Sequence, residues 1–131
     1  MSYFVTGATG FIGRHLVREL LDHREGEIHV LTRASSLPRM EALIARWGSG
    51  RVTPVVGDLA ADGLGVDPDW IEEHRAGGGG RIEHFFHLAA IYDMTADDET
   101  NEALNVGGTR NALALAEALE VGCFHQVSSV A

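Results

Sequence analysis

Apolar and polar positions along this chain follow two periods, the short run of a buried strand and the spacing of an amphipathic helix. Near the start, the run SYFVTG predicts a first strand that ends at a glycine. The segment FIGRHLVRELLDH follows, and its apolar residues recur three to four positions apart at Phe11, Ile12, Leu16, Val17, Leu20 and Leu21. This spacing predicts a helix that begins directly after a glycine-rich turn.

The same two patterns then repeat along the rest of the chain. The segments EIHVLTR, RVTPVVGDL, RIEHFFHLAA and CFHQVSS predict four further strands, and Pro54 indicates that the third strand lies at a sheet edge. The segments LPRMEALIARWG, PDWIEEHR and DDETNEALNVGGTRNALALAEALE predict helices. The run GGGG at 77–80 predicts a surface loop rather than a domain boundary, because strand character resumes directly after it.

Alternating strands and helices predict an α/β fold, a parallel sheet with helices on both faces. Right-handed crossovers then favour a doubly wound, Rossmann-type sheet in the order 3-2-1-4-5. A length of 131 residues fits a single domain that spans residues 1–131.

The turn between the first strand and the first helix contains Gly7, Gly10 and Gly13, each three residues from the next. Glycine allows a tight turn there and lets backbone N–H groups at a helix N-terminus approach a pyrophosphate closely. The alternative is a structural turn that binds nothing. The strand before it and the amphipathic helix after it favour a turn that binds the pyrophosphate of a dinucleotide cofactor.

The type of cofactor depends on the residue at the end of the second strand, about 20 residues beyond the turn. An acidic residue there would bind the ribose hydroxyls of NAD(H), but this chain has Arg33, followed by Ser35. A guanidinium can pair with a 2′-phosphate through two hydrogen bonds. We therefore predict NADP(H) in preference to NAD(H), the alternative being that Arg33 is a solvated residue at a strand end.

Composition narrows the classes of partner. There are 19 acidic and 10 basic residues, a net charge of -9, which argues against a nucleic-acid partner. We expect no membrane span, because no apolar run approaches the length of one, and the single Cys123 suits a reducing, cytoplasmic location. The seven histidines are scattered along the sequence, so we expect no metal site. All ten basic residues are arginine.

Five motifs in order carry a family resemblance: TGATGFIG, then GDL at 57–59, HLAA at 87–90, NVGGT at 105–109 and VSS at 127–129. Together they resemble the extended short-chain dehydrogenase/reductase superfamily along the whole chain. The stretch VLTRASSLPRMEALIARWG is most similar to the fatty-acyl and thioester reductase branch. Sugar-nucleotide epimerases and dehydratases share the same order of motifs.

The resemblance implies roles for positions along these motifs. Beside the three glycines, the backbone of Phe11 and Ile12 would contact the pyrophosphate. The remaining implied cofactor contacts are Asp58 and Leu59 at the adenine, and Ala89 and Ala90 along the cofactor.

The resemblance also implies catalytic positions. Asn105 in the long helix would help to order the active site, and Ser129, with Ser128 as the competitor, would polarise a substrate carbonyl. Gly107 and Gly108 would let the long helix pack closely on the sheet.

The superfamily also uses a tyrosine followed four residues later by a lysine, and this chain has no such pair because it contains no lysine. We therefore interpret the chain as the cofactor-binding, amino-terminal portion of a longer NADP(H)-dependent oxidoreductase, truncated after the fifth strand and inactive alone. The substrate would be a small molecule, an acyl thioester or another carbonyl compound such as an aldehyde.

Two alternatives accompany this interpretation. One is an NAD-dependent sugar-nucleotide epimerase or dehydratase, and another is a non-catalytic NADP-binding redox sensor or regulator. For the isolated chain, a fifth strand exposed at the sheet edge predicts either a homo-oligomer or marginal stability.

Overall fold

A computed structural model describes residues 2–48, 50–75, 81–88 and 98–127 of the chain. Five parallel strands form one sheet in the order β3-β2-β1-β4-β5. The strands are β1 (Ser2–Thr6), β2 (Glu27–Thr32), β3 (Val52–Val56), β4 (Ile82–His87) and β5 (Cys123–Gln126). The α-helices are α1 (Phe11–His23), α2 (Leu37–Trp47), α3 (Pro68–His74) and α4 (Asp98–Leu119).

Local chemistry explains where several helices begin and end. α2 has Pro38 in its first turn and ends at Gly48, which adopts the left-handed conformation with φ +66° that favours glycine. In α3, the Asp67 side chain accepts a hydrogen bond from the Asp69 N–H at 2.9 Å. This cap satisfies one of the N–H groups that the first turn leaves unpaired.

The sheet buries an apolar cluster on each face. On one face, Tyr3 and Val5 of the central strand pack with Val17 and Leu20 of α1 and Met40 of α2. On the opposite face lie Phe4 of β1 and Phe85 of β4, with α4 and Trp70 of α3. Strand residues therefore alternate between the two clusters, and each face carries two helices.

The α/β fold, the strand order and the helices on both faces confirm the expectation from the sequence. β3 lies at a sheet edge, as Pro54 predicted. The strands are shorter than the apolar runs suggested: β4 ends at His87 and β5 at Gln126. Two short 3₁₀ segments, Ala34–Ser36 and Asp62–Gly65, were not predicted. No helix among the described residues is long and apolar enough to cross a membrane.

Candidate cofactor-binding site

The turn after β1 is held by close backbone contacts among its glycines. Gly7 adopts φ +79°, and the Gly10 N–H donates a hydrogen bond to the Gly7 carbonyl at 3.1 Å. A Cβ atom on Gly13 would overlap the Gly7 carbonyl oxygen and lie 2.8 Å from the Ala8 Cα. The first turn of α1 is thus pressed against the end of β1, and only glycine fits at the contact.

The N-terminus of α1 is open toward solvent. Its N-cap residue is Gly10, which has no side chain to cap the first N–H groups, and the first turn contains no acidic residue. Phe11 and Ile12 are 72% and 56% exposed, although both side chains are large and apolar. N–H groups at such a helix start, with the positive end of the helix dipole behind them, suit a bound phosphate.

Arg33 and Ser35 lie directly beyond the carboxyl end of β2, which is the neighbour of β1 in the sheet. Both residues are exposed. The Arg33 carbonyl accepts hydrogen bonds from the Ser36 N–H at 2.9 Å and the Thr32 hydroxyl at 3.3 Å, which fixes its backbone. Among the described residues, no acidic side chain forms a salt bridge with the Arg33 guanidinium, so its charge is available to a ligand.

Asp58 and Leu59 follow the carboxyl end of β3, and two sets of hydrogen bonds hold their loop. The Asp58 carboxylate accepts a bond from the Ala60 N–H at 2.9 Å, and the Asp58 N–H donates to the Leu64 carbonyl at 2.8 Å. Asn111 of α4 donates from Nδ2 to the Leu59 carbonyl at 2.7 Å. Asp58 therefore has a structural role in its turn, and α4 ties the loop to the opposite side of the site.

A buried polar group joins β1, β4 and α4 at the same edge of the sheet. The His87 Nδ1 shares a hydrogen bond with the Thr6 hydroxyl at 2.7 Å, and the same hydroxyl accepts from the Leu88 N–H at 3.1 Å. The His87 Nε2 lies 3.4 Å from the Thr109 hydroxyl. Burial lowers the pKa of His87, so its ring is neutral at pH 7.

A shallow cavity of about 340 Å³ opens beyond the carboxyl end of β5. Asn105 lines it together with Val106, Thr109, Arg110 and Gln126. Gln126 donates from Nε2 to the Thr109 hydroxyl at 3.5 Å, so the cavity wall continues into the His87 contacts. In open parallel sheets, ligands bind beyond the carboxyl ends of the strands, where this cavity lies.

The predicted site residues that the structure describes therefore lie at one edge of the sheet. Each of its residues follows the carboxyl end of a strand or lies on the adjacent α1 or α4: Gly7, Gly10, Phe11, Ile12, Gly13, Arg33, Ser35, Asp58, Leu59 and Asn105. Ala89, Ala90, Ser128 and Ser129 lie outside the described residues, so their proposed roles stay predictions.

The expected function of the two glycines in α4 needs correction. A Cβ atom on Gly107 would meet nothing within 4 Å, so this residue makes no close contact with the sheet. A Cβ atom on Gly108 would lie 3.8 Å from the Leu59 Cβ, which is an ordinary contact distance. Gly108 therefore faces the loop after β3 rather than the strands, because α4 crosses over that loop.

Sequence reasoning missed two residues that shape the site. Asn111 lies in a helical segment with no signal of its hydrogen bond to Leu59, which is 52 positions away. Gly57 was noted only as part of the GDL motif, but its lack of a side chain lets the loop after β3 close on itself. A Cβ atom there would overlap the Leu64 carbonyl oxygen and lie 2.7 Å from the Leu31 Cδ1. Its place directly after a strand was the only available signal.

Comparison with known proteins identifies the family. The model of the family described as "Male sterility protein" matches residues 5–131, nearly the whole chain. The chain belongs to this family, in the extended short-chain dehydrogenase/reductase superfamily, and carries its nucleotide-cofactor-binding fold.

Individual relatives support this assignment. A putative dihydroflavonol 4-reductase of Synechocystis is 38% identical over 98% of this chain and 33% of its own length. The terminal R domain of the myxalamid PKS-NRPS biosynthetic pathway is 28% identical, with a TM-score of 0.75 over 98% of this chain and 34% of its own.

One further solved structure shares the fold. The Gre2 protein of Candida albicans, in complex with NADPH, is 21% identical, with a TM-score of 0.73 over 98% of this chain and 37% of its own. The chain thus spans about a third of the length of each of these three proteins.

Proposed function

We propose that this chain is the NADP(H)-binding unit of a reductase that acts on a carbonyl compound or an acyl thioester. Two features together carry the proposal: the open N-terminus of α1, and the Arg33 guanidinium at the neighbouring strand end, which forms no salt bridge within the described part of the chain. The first suits a pyrophosphate, and the second suits a 2′-phosphate. The NADPH named for Gre2 agrees with this choice, although its similarity shows the fold alone.

In this proposal the cofactor lies across the carboxyl edge of the sheet. The backbone N–H groups of Phe11 and Ile12, beside the glycine turn, would hold its pyrophosphate, and Arg33 with the Ser35 hydroxyl would hold its 2′-phosphate. The adenine lies against Asp58 and Leu59. By the family resemblance, Ala89 and Ala90 would lie along the cofactor.

When bound, the cofactor supplies a hydride for the carbonyl carbon, and the protein supplies orientation and electrostatics. Asn105 acts as a positioning residue at the cavity beyond β5, and Ser129 polarises the substrate carbonyl. The chain contains no Tyr-x-x-x-Lys pair, because it contains no lysine. We therefore expect residues 1–131, as a single domain, to bind cofactor without turning it over.

The experiment compares NADPH and NADH dissociation constants for the wild type and for Arg33→Ala, measured by calorimetry. Loss of a charge-assisted pair with phosphate should weaken NADPH binding by about 10- to 100-fold and leave NADH binding nearly unchanged. Arg46→Ala is the matched control, because Arg46 is exposed in the last turn of α2.

Two results would contradict the proposal. One is NADPH binding by Arg33→Ala that equals that of Arg46→Ala, and the other is tighter binding of NADH than of NADPH by the wild type. The second result would instead favour the epimerase and dehydratase interpretation. NADPH binding without turnover by the longer protein, given carbonyl and thioester substrates, would favour the redox sensor.

A further inference from the structure

Three potential metal ligands meet on β4 and β5, although they are scattered in the sequence. They are the imidazoles of His84 and His125 and the thiol of Cys123, and their ligand atoms all lie within 4.8 Å of one another. His84 and Cys123 are 39 positions apart along the chain. Nothing in their local sequence spacing indicates a common site.

Strand register places all three side chains on one face of the sheet. His84 is the parallel partner of Cys123, so their side chains lie beside each other. His125 is two positions beyond Cys123 and pairs with Phe86, so it has the same orientation. The result is a triangle of two nitrogens and one sulfur across adjacent strands.

Neighbouring aromatic rings hold the two imidazoles in place. The His84 ring stacks on Tyr3 at 5.8 Å between centroids, and the His125 ring stacks on Phe86 at 4.7 Å. The His84 Nδ1 and the His125 Nε2 are 3.0 Å apart. Two nitrogens that bind one tetrahedral zinc ion lie about 3.3 Å apart, so the separation already fits, and the rings need only rotate until both lone pairs point at the ion.

The third ligand is free to complete the set. Cys123 is exposed, and rotation about its side-chain bond can bring the sulfur closer. Two imidazole nitrogens and one thiolate form a donor set that suits zinc, with a fourth position left for water or another ligand. We propose that His84, Cys123 and His125 bind a divalent zinc ion.

Binding exchanges one proton for the metal. The thiol of Cys123 loses its proton to solvent when the sulfur–zinc bond forms. The proton shared between the two imidazoles moves through solvent to the other nitrogen of the ring that carried it. Each ring then presents a lone pair to the ion.

The site is separate from the proposed cofactor edge. His84 lies three positions before His87 along β4, which is about 10 Å from the carboxyl end of the strand, and the His125 side chain lies on the opposite face of the sheet from Gln126, which lines the cavity. The zinc ion would therefore join β5 to β4 rather than take part in hydride transfer. Its presence should raise the thermal midpoint of the chain and leave NADPH affinity unchanged.

The direct test is titration of the reduced chain with cobalt(II), a spectroscopic substitute for zinc, followed by competition with zinc. The wild type should bind one ion and show visible bands of tetrahedral cobalt together with a thiolate charge-transfer band. Cys123→Ser should lose the charge-transfer band. Both Cys123→Ser and His125→Gln should bind zinc more than about 100-fold more weakly, because each lacks a direct ligand.

The control is His23→Gln, which removes an exposed histidine that lies 3.4 Å from Glu19 on α1. This variant should bind like the wild type. The proposal fails if the wild type binds no cobalt or zinc, which would leave the cluster as an aromatic stack. It also fails if Cys123→Ser binds like the wild type.

A second measurement does not depend on any variant folding. Cys123 is the sole cysteine in the chain, so the rate of alkylation reports on this site alone. Zinc should slow alkylation of the native wild type by at least tenfold, and a chelator should restore the rate. An alkylation rate that zinc does not change would overturn the proposal.

Discussion

At the scale of single residues, Gly13 has no space for even one methyl group. A Cβ atom there would be 2.7 Å from the Gly7 carbonyl carbon as well as overlapping its oxygen. We predict that Gly13→Ala lowers the free energy of unfolding by about 2 to 4 kcal/mol, because backbone atoms at both sides must move. Urea unfolding followed by circular dichroism measures this change.

Gly10→Ala provides the matched comparison for Gly13→Ala. Its Cβ atom would lie 3.4 Å from the Gly7 carbonyl oxygen, an ordinary contact, and its φ of -73° is accessible to alanine. We expect this variant to fold with nearly normal stability. A loss of stability as large as that of Gly13→Ala would contradict this account of the turn.

His29 is a second residue whose surroundings predict a measurable effect. It is 3% exposed, contacts Trp70 and His74, and shares a 2.9 Å hydrogen bond with Thr53. Burial, and next the neighbouring His74, lower the pKa of His29 to about 4, against the opposing effect of Glu27. The folded state therefore keeps this ring neutral at pH values where the unfolded chain protonates it.

The sign of the pH effect follows from this lowered pKa. Stability from neutral His29 is present above its unfolded pKa of 6.5 and decreases as the pH falls toward 4. Between about pH 7 and pH 5 we expect the group to remove about 2 kcal/mol of unfolding free energy. His87, whose pKa burial also lowers, acts in the same direction.

Urea unfolding of the wild type and His29→Phe at the two pH values tests this prediction. The phenyl ring keeps the contact with Trp70 and does not titrate, so the variant should lose less stability on acidification. His23→Gln serves as the control, because that imidazole is 70% exposed. An equal loss for wild type and His29→Phe would show that His29 is not responsible.

At the scale of elements, Asn111 connects α4 to the loop after β3. Its side chain donates to the Leu59 carbonyl, and Leu59 packs against the apolar cluster beneath. We predict that Asn111→Ala costs about 1 kcal/mol of unfolding free energy and weakens NADPH binding several-fold, because the adenine side of the site loosens. Urea unfolding and calorimetry measure the two effects.

Glu117→Ala is the control for Asn111→Ala. Glu117 is exposed on the same helix, and alanine is as good a helix former there. If both variants bind NADPH equally, the Asn111 hydrogen bond does not support the site.

Most of the element pattern could be predicted from the sequence because it depends on neighbours within a few positions. The bounds of α1 agree with its apolar spacing from Phe11 to His23. The segment Asp62–Gly65 could not be predicted, because Leu64 there adopts the left-handed conformation with φ 61°. Its buried side chain, packed in the apolar cluster, offsets the unfavourable backbone conformation.

At the scale of the whole molecule, the two edges of the described sheet differ. Pro54 removes a donor from β3 and protects that edge, but β5 carries no proline. We predict that the chain self-associates through β5, with an average mass that rises with concentration in sedimentation. Val127→Lys should reduce this association, because Val127 is 47% exposed directly after β5.

Val56→Lys is the control at the opposite edge, where Val56 is 46% exposed. A wild type that sediments as a monomer at all concentrations contradicts the prediction. So does an equal effect of the two substitutions, because association would then not be specific to β5.

Contacts between distant parts of the chain explain what the sequence did not reveal about the site. The order of motifs indicated the edge where Arg33, Asp58 and Asn105 lie, since parallel strands bring their carboxyl ends together. The meeting of His84 with His125 depends on the register between β4 and β5. Because these strands are about 40 positions apart in the sequence, the spacing of residues within either strand does not show which of them become neighbours.

The central position of β1 also has a consequence for biosynthesis. β1 is synthesised before the other four strands of the sheet, and its partner β4 follows about 80 residues later. Until then, Phe4 has no Phe85 to pack against, and one edge of the strand lacks hydrogen bonds. The apolar residues of β1 therefore stay exposed in the nascent chain until β4 has been made. A chaperone can bind them during this time, and slow translation prolongs the risk of misfolding.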